Sequence, residues 1–570
     1  MSYVKACGTV LGLAMALSVT APAPGLAEGS CKSAPPFDLA ALKKISPTEA
    51  RRTWFIGYLF DDQGRLCLVP APGQPAIPLS WPRDGDTGAV GPVGLEVTGP
   101  ALDAATNVNV PDIGEPADLV MSPLEEQRLG TEVMRQLLAS GYVLEDPELT
   151  TYIRSIGQRL ARHTNHSPDD FHFFVVKDGG INAFALPGGF IGINAGLLIA
   201  SETESELAGV VAHEISHVTQ RHIARQIDKS SGWNLASTAL LIAALIAGIQ
   251  DPEIAQAALG VGLSAAAQQQ INFTRAHEKE ADRIGIGVLA DAGFDPEGMG
   301  DFFHRLSQKA QLYGEGVPEI LRTHPVSTNR IAEAQARAAA LPRHEPGSSL
   351  QYQLMRSRAR VLMTELDGDA LSHFRGLNRY GGDVSEVYGL ALALERNRAF
   401  ADAKSLLDRL IDQQPDQPSL LLARGRLQAE AGAMESAVST LRRAHKQHPK
   451  YGPLTLGLAQ TQIRAGQARD ARQLLLESDL LLVADSEVFR LLALAAREME
   501  DPAEAHFQMA AYERSRGNYV AALRQLRSAL RLKELSQHDT ERLEGRLAQY
   551  LAEAPESERK RSEQIHRERN

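Results

Sequence analysis

Residues 213–217 read His-Glu-Ile-Ser-His. On a helix, His213 and His217 lie one turn apart and face the same way. Two imidazoles so placed can bind one Zn²⁺ at about 2.0–2.1 Å each. Glu214 then lies beside the ion without ligating it, where it can take a proton from zinc-bound water whose pKa has fallen toward about 7. This is a peptide-hydrolysing arrangement. A helix with two ordinary histidines and one solvated glutamate would carry the same letters, so a third ligand is needed. His277-Glu278-Lys279-Glu280-Ala281-Asp282 supplies it. Glu278 and Asp282 share a helix face, so Glu278 can ligate zinc while Asp282 orients a histidine from behind. His277 is the rival ligand. Glu280, two positions from Glu278, must face elsewhere.

These side chains need helices and a scaffold. Ser201 and Thr203 each have Glu three positions on, which starts a helix just before His213. Leu207, Val210 and Val211 give that helix an apolar face. Upstream, Ser122, Pro123 and Glu125 form a capping-box start. Phe171 to Val176, Ile181 to Ala185 and Phe190 to Ile193 read as strands. Asp178-Gly179-Gly180 and Pro187-Gly188-Gly189 divide them. Residues 116–345 therefore read as an α+β zinc metallopeptidase domain, a small sheet beside helices.

From about residue 350 the pattern is helical and repeats. Ala403, Ala437 and Ala471 are 34 residues apart, as are Gly432 and Gly466, and Pro415 and Pro449. That is the tetratricopeptide (TPR) period, so 346–556 reads as an all-α TPR solenoid. Gly517 lies five before Ala522, as Gly432 lies five before Ala437. Three repeats are legible on this reading, the last displaced by an inserted helix. Residues 557–570 read as a charged, frayed tail.

Residues 1–27 read as a signal peptide, with Lys5, an apolar Ala6 to Val19 and a cleavage site after Ala27. Residues 28–115 are rich in Pro and Gly and read as a small β-rich or irregular module. Within it, Thr53 to Phe60 and Arg65 to Val69 read as strands around an Asp62-Gln63-Gly64 turn. Cys31 and Cys67 are an even pair that an exported chain can join as a disulfide. No later segment reads as long enough to span a bilayer. The apolar stretch 235–267 reads as two short helices, either buried or exposed to lipid or an unfolded client. The 570 residues are 44% hydrophobic and 23% charged, which excludes a mostly disordered chain. The net charge of −11 and 5% aromatics exclude a nucleic-acid binder.

The His213-Glu214-xx-His217 and Glu278-xxx-Asp282 pair resembles the gluzincin metallopeptidases of the CAAX prenyl protease and HtpX type. The strand Ile181 to Ala185 with Pro187-Gly188-Gly189 is similar to that family's substrate-facing edge. Thr323-His324-Pro325 followed by Arg330 is similar as well. Those two relatives are membrane-embedded. The likeness spans about residues 112–550 and leaves 28–110 unexplained. It implies one Zn²⁺ per chain and a catalytic set of Glu214, His324, Arg330 and Asp282. His324 would either fill the open zinc position or donate to the oxyanion, and Arg330 would help with charge or positioning. Asn182, Ala183 and Phe184 would pair with an extended peptide. With the signal peptide and the repeats, the resemblance implies a periplasmic endopeptidase, peripheral to the outer membrane. Its clients would be misfolded or stalled outer-membrane β-barrel proteins, and its repeats would dock on the β-barrel assembly machinery. The competing reading is a TPR chaperone or scaffold whose zinc site stays closed. Deletion of 350–570 is expected to abolish docking and leave zinc binding intact.

Overall fold

The computed structural model describes residues 31–32, 58–61, 66–68, 77–78, 121–226, 275–313, 318–343, 347–481 and 485–569. The segments 1–27 and 235–267 lie outside the described residues. The chain divides into two units, Met1–Val110 and Pro111–Asn570, each taken by itself below.

In the first unit four short strands pair antiparallel in chain order. They are β1 (Cys31–Lys32), β2 (Tyr58–Asp61), β3 (Leu66–Leu68) and β4 (Ile77–Pro78). The hairpin read from the sequence is β2–β3, with Leu59 opposite Cys67. Cys31 lies opposite Asp61, on the other side of β2. Two strand spacings come to roughly 10 Å, more than the roughly 7 Å between Cα atoms that a disulfide tolerates. This register does not bring Cys31 and Cys67 together.

The second unit opens on α1 (Pro123–Ala139) and α2 (Pro147–Ala161). Ser122 caps α1 in a full capping box with Glu125, and Asp146 caps α2 through the Leu149 N–H. Three strands follow, β5 (His172–Val176), β6 (Ala183–Leu186) and β7 (Phe190–Asn194), in the order β5-β7-β6. β5 runs parallel to β7, and β6 runs antiparallel to it. Both faces are buried. Phe173 and Val175 enter the main core with α2, while Phe174 and Val176 meet Leu129, Val133 and Leu137 of α1. Gly188 and Gly189, at φ 76° and 83°, make the tight turn between β6 and β7.

Helices α3 (Ala195–Ala200), α4 (Glu204–Thr219) and α5 (His222–Gln226) follow. Thr203 is the N-cap of α4, accepting from the Glu206 N–H at 3.1 Å. Beyond them come α6 (Arg275–Asp291), α7 (Glu297–Tyr313), α8 (Glu319–Thr323) and α9 (Thr328–Ala339). At Gly285 on α6 a Cβ would come within 3.2 Å of the Ala212 carbonyl on α4. The missing side chain lets the two helices approach beside His213.

The remaining chain is helical. It runs through α10 (Leu350–Met363), α11 (Asp367–Leu377), α12 (Val384–Arg396), α13 (Phe400–Gln413), α14 (Pro418–Glu430), α15 (Met434–Gln447) and α16 (Gly452–Arg464). It continues as α17 (Ala468–Leu476), α18 (Ser486–Glu498), α19 (Pro502–Ser515), α20 (Tyr519–Ala529), α21 (Gln537–Glu553) and α22 (Glu556–Arg569). The turns within pairs α12/α13, α14/α15, α16/α17 and α18/α19 hold Arg398, Gly432, Gly466 and Glu500. Their φ angles are 60°, 82°, 75° and 59°. These positions are 34 residues apart throughout. The period therefore runs through four pairs, with a short 3-10 helix, Asp479–Leu481, between α17 and α18, and Gly517 ends α19. Glycine is the legible sign of this turn; Arg398 and Glu500 occupy the same left-handed position at a cost of about 1–2 kcal/mol each. The tail expected to fray is helix α22, where buried Ser562 accepts from Arg527.

One core joins α4 to the first repeats. Val211 and Ile215 of α4 share it with Tyr352 and Leu354 of α10 and Leu427 of α14. On α10 the Tyr352 hydroxyl donates to the Ser201 carbonyl at 2.7 Å. Arg358 donates to both Asp146 oxygens at 2.9 and 2.6 Å and pairs with Glu148 at 2.9 Å. A cut at residue 350 would strip buried carboxylates of their partner and open this core, so it does not separate independent domains.

Candidate active site

α4 presents His213, Glu214 and His217, and α6 presents Glu278 and Asp282. His324 follows α8, and Arg330 lies on α9. All seven are buried. One donor atom each from His213, His217, Glu278 and His324 lies within 4.8 Å of the others. His213 Nε2 is 3.0 Å from His217 Nε2 and 3.4 Å from His324 Nδ1. Glu278 Oε1 is 2.9 Å from His324 Nδ1 and 3.5 Å from His217 Nε2. A tetrahedral ion with bonds of about 2.0–2.1 Å has ligand–ligand edges of roughly 3.3 Å. Three imidazoles and one carboxylate at these spacings fit Zn²⁺. Imidazole nitrogens facing each other so closely need a cation or a proton between them.

Electrostatics agree with a cation site. Burial opposes charge on Glu278, but His324 and His213 beside it hold the carboxyl well below its usual range. Burial also opposes a proton on His213, yet Asp282 and Glu278 outweigh it and raise the imidazole to about 10. Burial, then His213 and His324, push His217 down. The carboxylates thus favour positive charge at this point.

Asp282 Oδ1 lies 3.0 Å from His213 Nδ1, the orienting contact expected of it. Arg330 donates to both Asp282 oxygens at 2.7 and 2.8 Å, pairs with Glu278 Oε2 at 2.7 Å and reaches the Pro325 carbonyl at 2.9 Å. Its guanidinium is engaged behind the ligands, an arrangement that suits positioning, one of the two roles the resemblance implies for it. Glu214 is fully buried, and among the described residues neither of its carboxylate oxygens accepts a hydrogen bond. His324 Nε2 stands 3.5 Å from its Oε1.

The expected peptide edge is present as backbone only. Among the described residues β6 is an edge strand. Buried Asn182 donates to Glu319 Oε1 at 2.7 Å, Ala183 is fully buried, and Phe184 packs edge-on against Phe174. Just before β6, the Ile320 N–H donates to the Ile181 carbonyl at 3.2 Å. Burial, and then Asp178, push Glu319 up to about 7.

Sequence reasoning missed His222, which touches His217 at 2.9 Å between Nδ1 atoms. His277, the rival ligand, stacks on His222 at 4.3 Å and stays outside the four-donor cluster. A histidine five residues after His217 was visible, but that spacing leaves the shared face of a continuous helix.

Comparison with known proteins matches two parts of the chain. Peptidase family M48 matches residues 147–338, and a tetratricopeptide repeat family matches 428–495. The beta-barrel assembly-enhancing protease of Yersinia pestis is 34% identical over 371 residues, 64% of this chain and 76% of that protein. The protein of the same description from Escherichia coli K12 is 34% identical over 393 residues, 68% of this chain and 80% of its own. A mitochondrial metalloendopeptidase of Arabidopsis thaliana is 27% identical over 234 residues, 40% of this chain and 45% of that one. Among the described residues no helix is long and apolar enough to cross a membrane.

Proposed function

Because the chain belongs to peptidase family M48, we propose that it is a zinc-dependent endopeptidase of the periplasm that degrades misfolded or stalled outer-membrane β-barrel proteins. The observation that carries the chemistry is Glu214, a fully buried carboxylate with no hydrogen-bond donor among the described residues, beside a four-atom donor set. Such a group costs about 1–3 kcal/mol or more to keep, which is explained if it works. Bound zinc supplies Lewis acidity that polarises the scissile carbonyl and acidifies water. Glu214 accepts the proton from the attacking water and returns it to the leaving amine. His213, His217 and Glu278 hold the ion, and Asp282 with Arg330 fixes two of those ligands from behind. The backbone of β6 pairs with an extended client, which needs no side-chain readout.

The client class rests on the relatives, whose descriptions concern β-barrel assembly. The stacked repeats offer a concave surface suited to a partner such as the assembly machinery. Segment 235–267 is the candidate for contact with lipid. A second reading has its own observation. His324 Nδ1 lies with the other three donors, and on this reading it closes the resting site and leaves the chain to act as a docking scaffold.

Metal analysis and casein-type proteolysis of the mature protein test both, beside Glu214→Gln and His324→Ala. The proposal expects stoichiometric zinc in all three, no cleavage by Glu214→Gln and faster cleavage by His324→Ala. Zinc with no cleavage even by His324→Ala would favour the scaffold. Absence of zinc would sink the metallopeptidase assignment.

A further inference from the structure

The two histidines of α4 are backed differently. His213 meets a carboxylate directly, Asp282 at 3.0 Å. The atom behind His217 belongs to another imidazole. His217 Nδ1 lies 2.9 Å from His222 Nδ1, and His222 Nε2 lies 3.1 Å from Glu280 Oε2. His222 is fully buried.

The carboxylate end sets the direction of every proton in this chain. An ionised Glu280, with Arg225 Nη1 at 3.6 Å, can only accept. His222 therefore carries its proton on Nε2 and presents a lone pair at Nδ1. His217 must then donate from Nδ1, which leaves the lone pair of its Nε2 pointing at His213 and Glu278. That is the tautomer a metal ligand needs. We propose that His222 and Glu280 are positioning residues for His217, a two-step relay that does for it what Asp282 does for His213.

The backbone is built for this contact. On an unbroken helix a residue five positions on lies about 140° around the axis. Here α4 ends at Thr219, and Arg221 adopts φ 52°, a left-handed conformation that L-residues disfavour. Its side chain is tied to Glu126 at 2.7 Å and to the Met121 carbonyl. The break swings His222 back against His217. His277 stacks on the His222 ring with planes 14° apart, which restrains it further.

The proposal rests on the metalloenzyme reading, and the test separates the two. Zn²⁺ affinity of the full chain is measured by chelator competition, with the visible spectrum of the Co²⁺ form reporting ligand geometry. His222→Leu is expected to weaken Zn²⁺ by about 10–100-fold and to shift the Co²⁺ bands. Glu280→Gln is expected to weaken it about threefold to tenfold. His222→Asn keeps an acceptor for His217 but cuts the link to Glu280, so it should match Glu280→Gln. Adding Glu280→Gln to His222→Asn should then change nothing further. A folded His222→Leu with affinity within about twofold of the parent would overturn the relay. So would a Glu280→Gln effect that persists undiminished in the His222→Asn background, a comparison that decides the matter if His222→Leu fails to fold. A parent protein that does not bind Zn²⁺ sinks the metalloenzyme reading itself; a tight parent with unaffected variants sinks only the relay.

Discussion

Two of the buried charge clusters among the described residues are satisfied in opposite ways. Around Arg358, two hydrogen bonds of 2.9 and 2.6 Å to Asp146 and an ion pair at 2.9 Å to Glu148 engage one guanidinium, and the Tyr451 hydroxyl adds a contact to Glu148 at 3.3 Å. Around His213, imidazole nitrogens face each other, and among the described residues no hydrogen bond reaches Glu214, only His324 Nε2 at 3.5 Å. Desolvated charge is tolerated where it is paired and is costly where it is not. The paired cluster joins α2 to α10 and reads as structure. The underpaired one reads as chemistry, because among the described residues Glu214 has only the long His324 contact at 3.5 Å.

The largest expected effect tests the underpaired cluster. Glu214→Gln should lower kcat/KM on an unfolded protein by about 10²–10⁴-fold, the usual worth of a general base. Its thermal midpoint should hold or rise, since a carboxylate with no donor is removed. A variant that keeps its activity but loses stability would place Glu214 with the structural cluster. Arg358→Ala is the converse. It leaves two buried carboxylates unpaired and should cost about 3–5 kcal/mol in urea unfolding. Asp146→Ala added to it should cost much less than it does alone. A loss below about 1 kcal/mol would mean that water already reaches the cluster. The ligand backing lies between these extremes. Asp282→Asn should weaken zinc about 10–100-fold in chelator competition, with the site still formed.

The same contrast explains what the sequence could reveal. The His213–His217 pair, its Thr203 cap and the Ser122 capping box are local, so their spacing is written in consecutive residues. Glu278 and Asp282 were legible because one helix turn separates them. Arg358 and Asp146 are 212 residues apart, and no local pattern links them. His222 was hidden for another reason. Its contact depends on the left-handed break at Arg221, and an arginine gives no sign of one. Arg330 is legible only with charge and positioning both open, because the fold alone shows Asp282 and Glu278 filling its fork.

The solenoid offers the smallest and cleanest test of that last point. Four equivalent turns are left-handed, but only Gly432 and Gly466 suit them. Glu500 holds φ 59° with a side chain that pays the left-handed penalty of about 1–2 kcal/mol. Replacing it by Gly relieves that penalty but returns about 0.4–1 kcal/mol of freedom to the unfolded chain. Glu500→Gly should therefore raise stability by about 0.5–1 kcal/mol, seen as a higher urea midpoint at unchanged slope. Gly466→Ala, the mirror change at the equivalent turn, should lower it by about 1 kcal/mol. Repeats touch mainly their neighbours, so neither change should alter zinc affinity or cleavage. If Glu500→Gly destabilises instead, its side chain makes a contact that outweighs the strain. The turn would then join the paired, structural class of which Arg358 is the extreme.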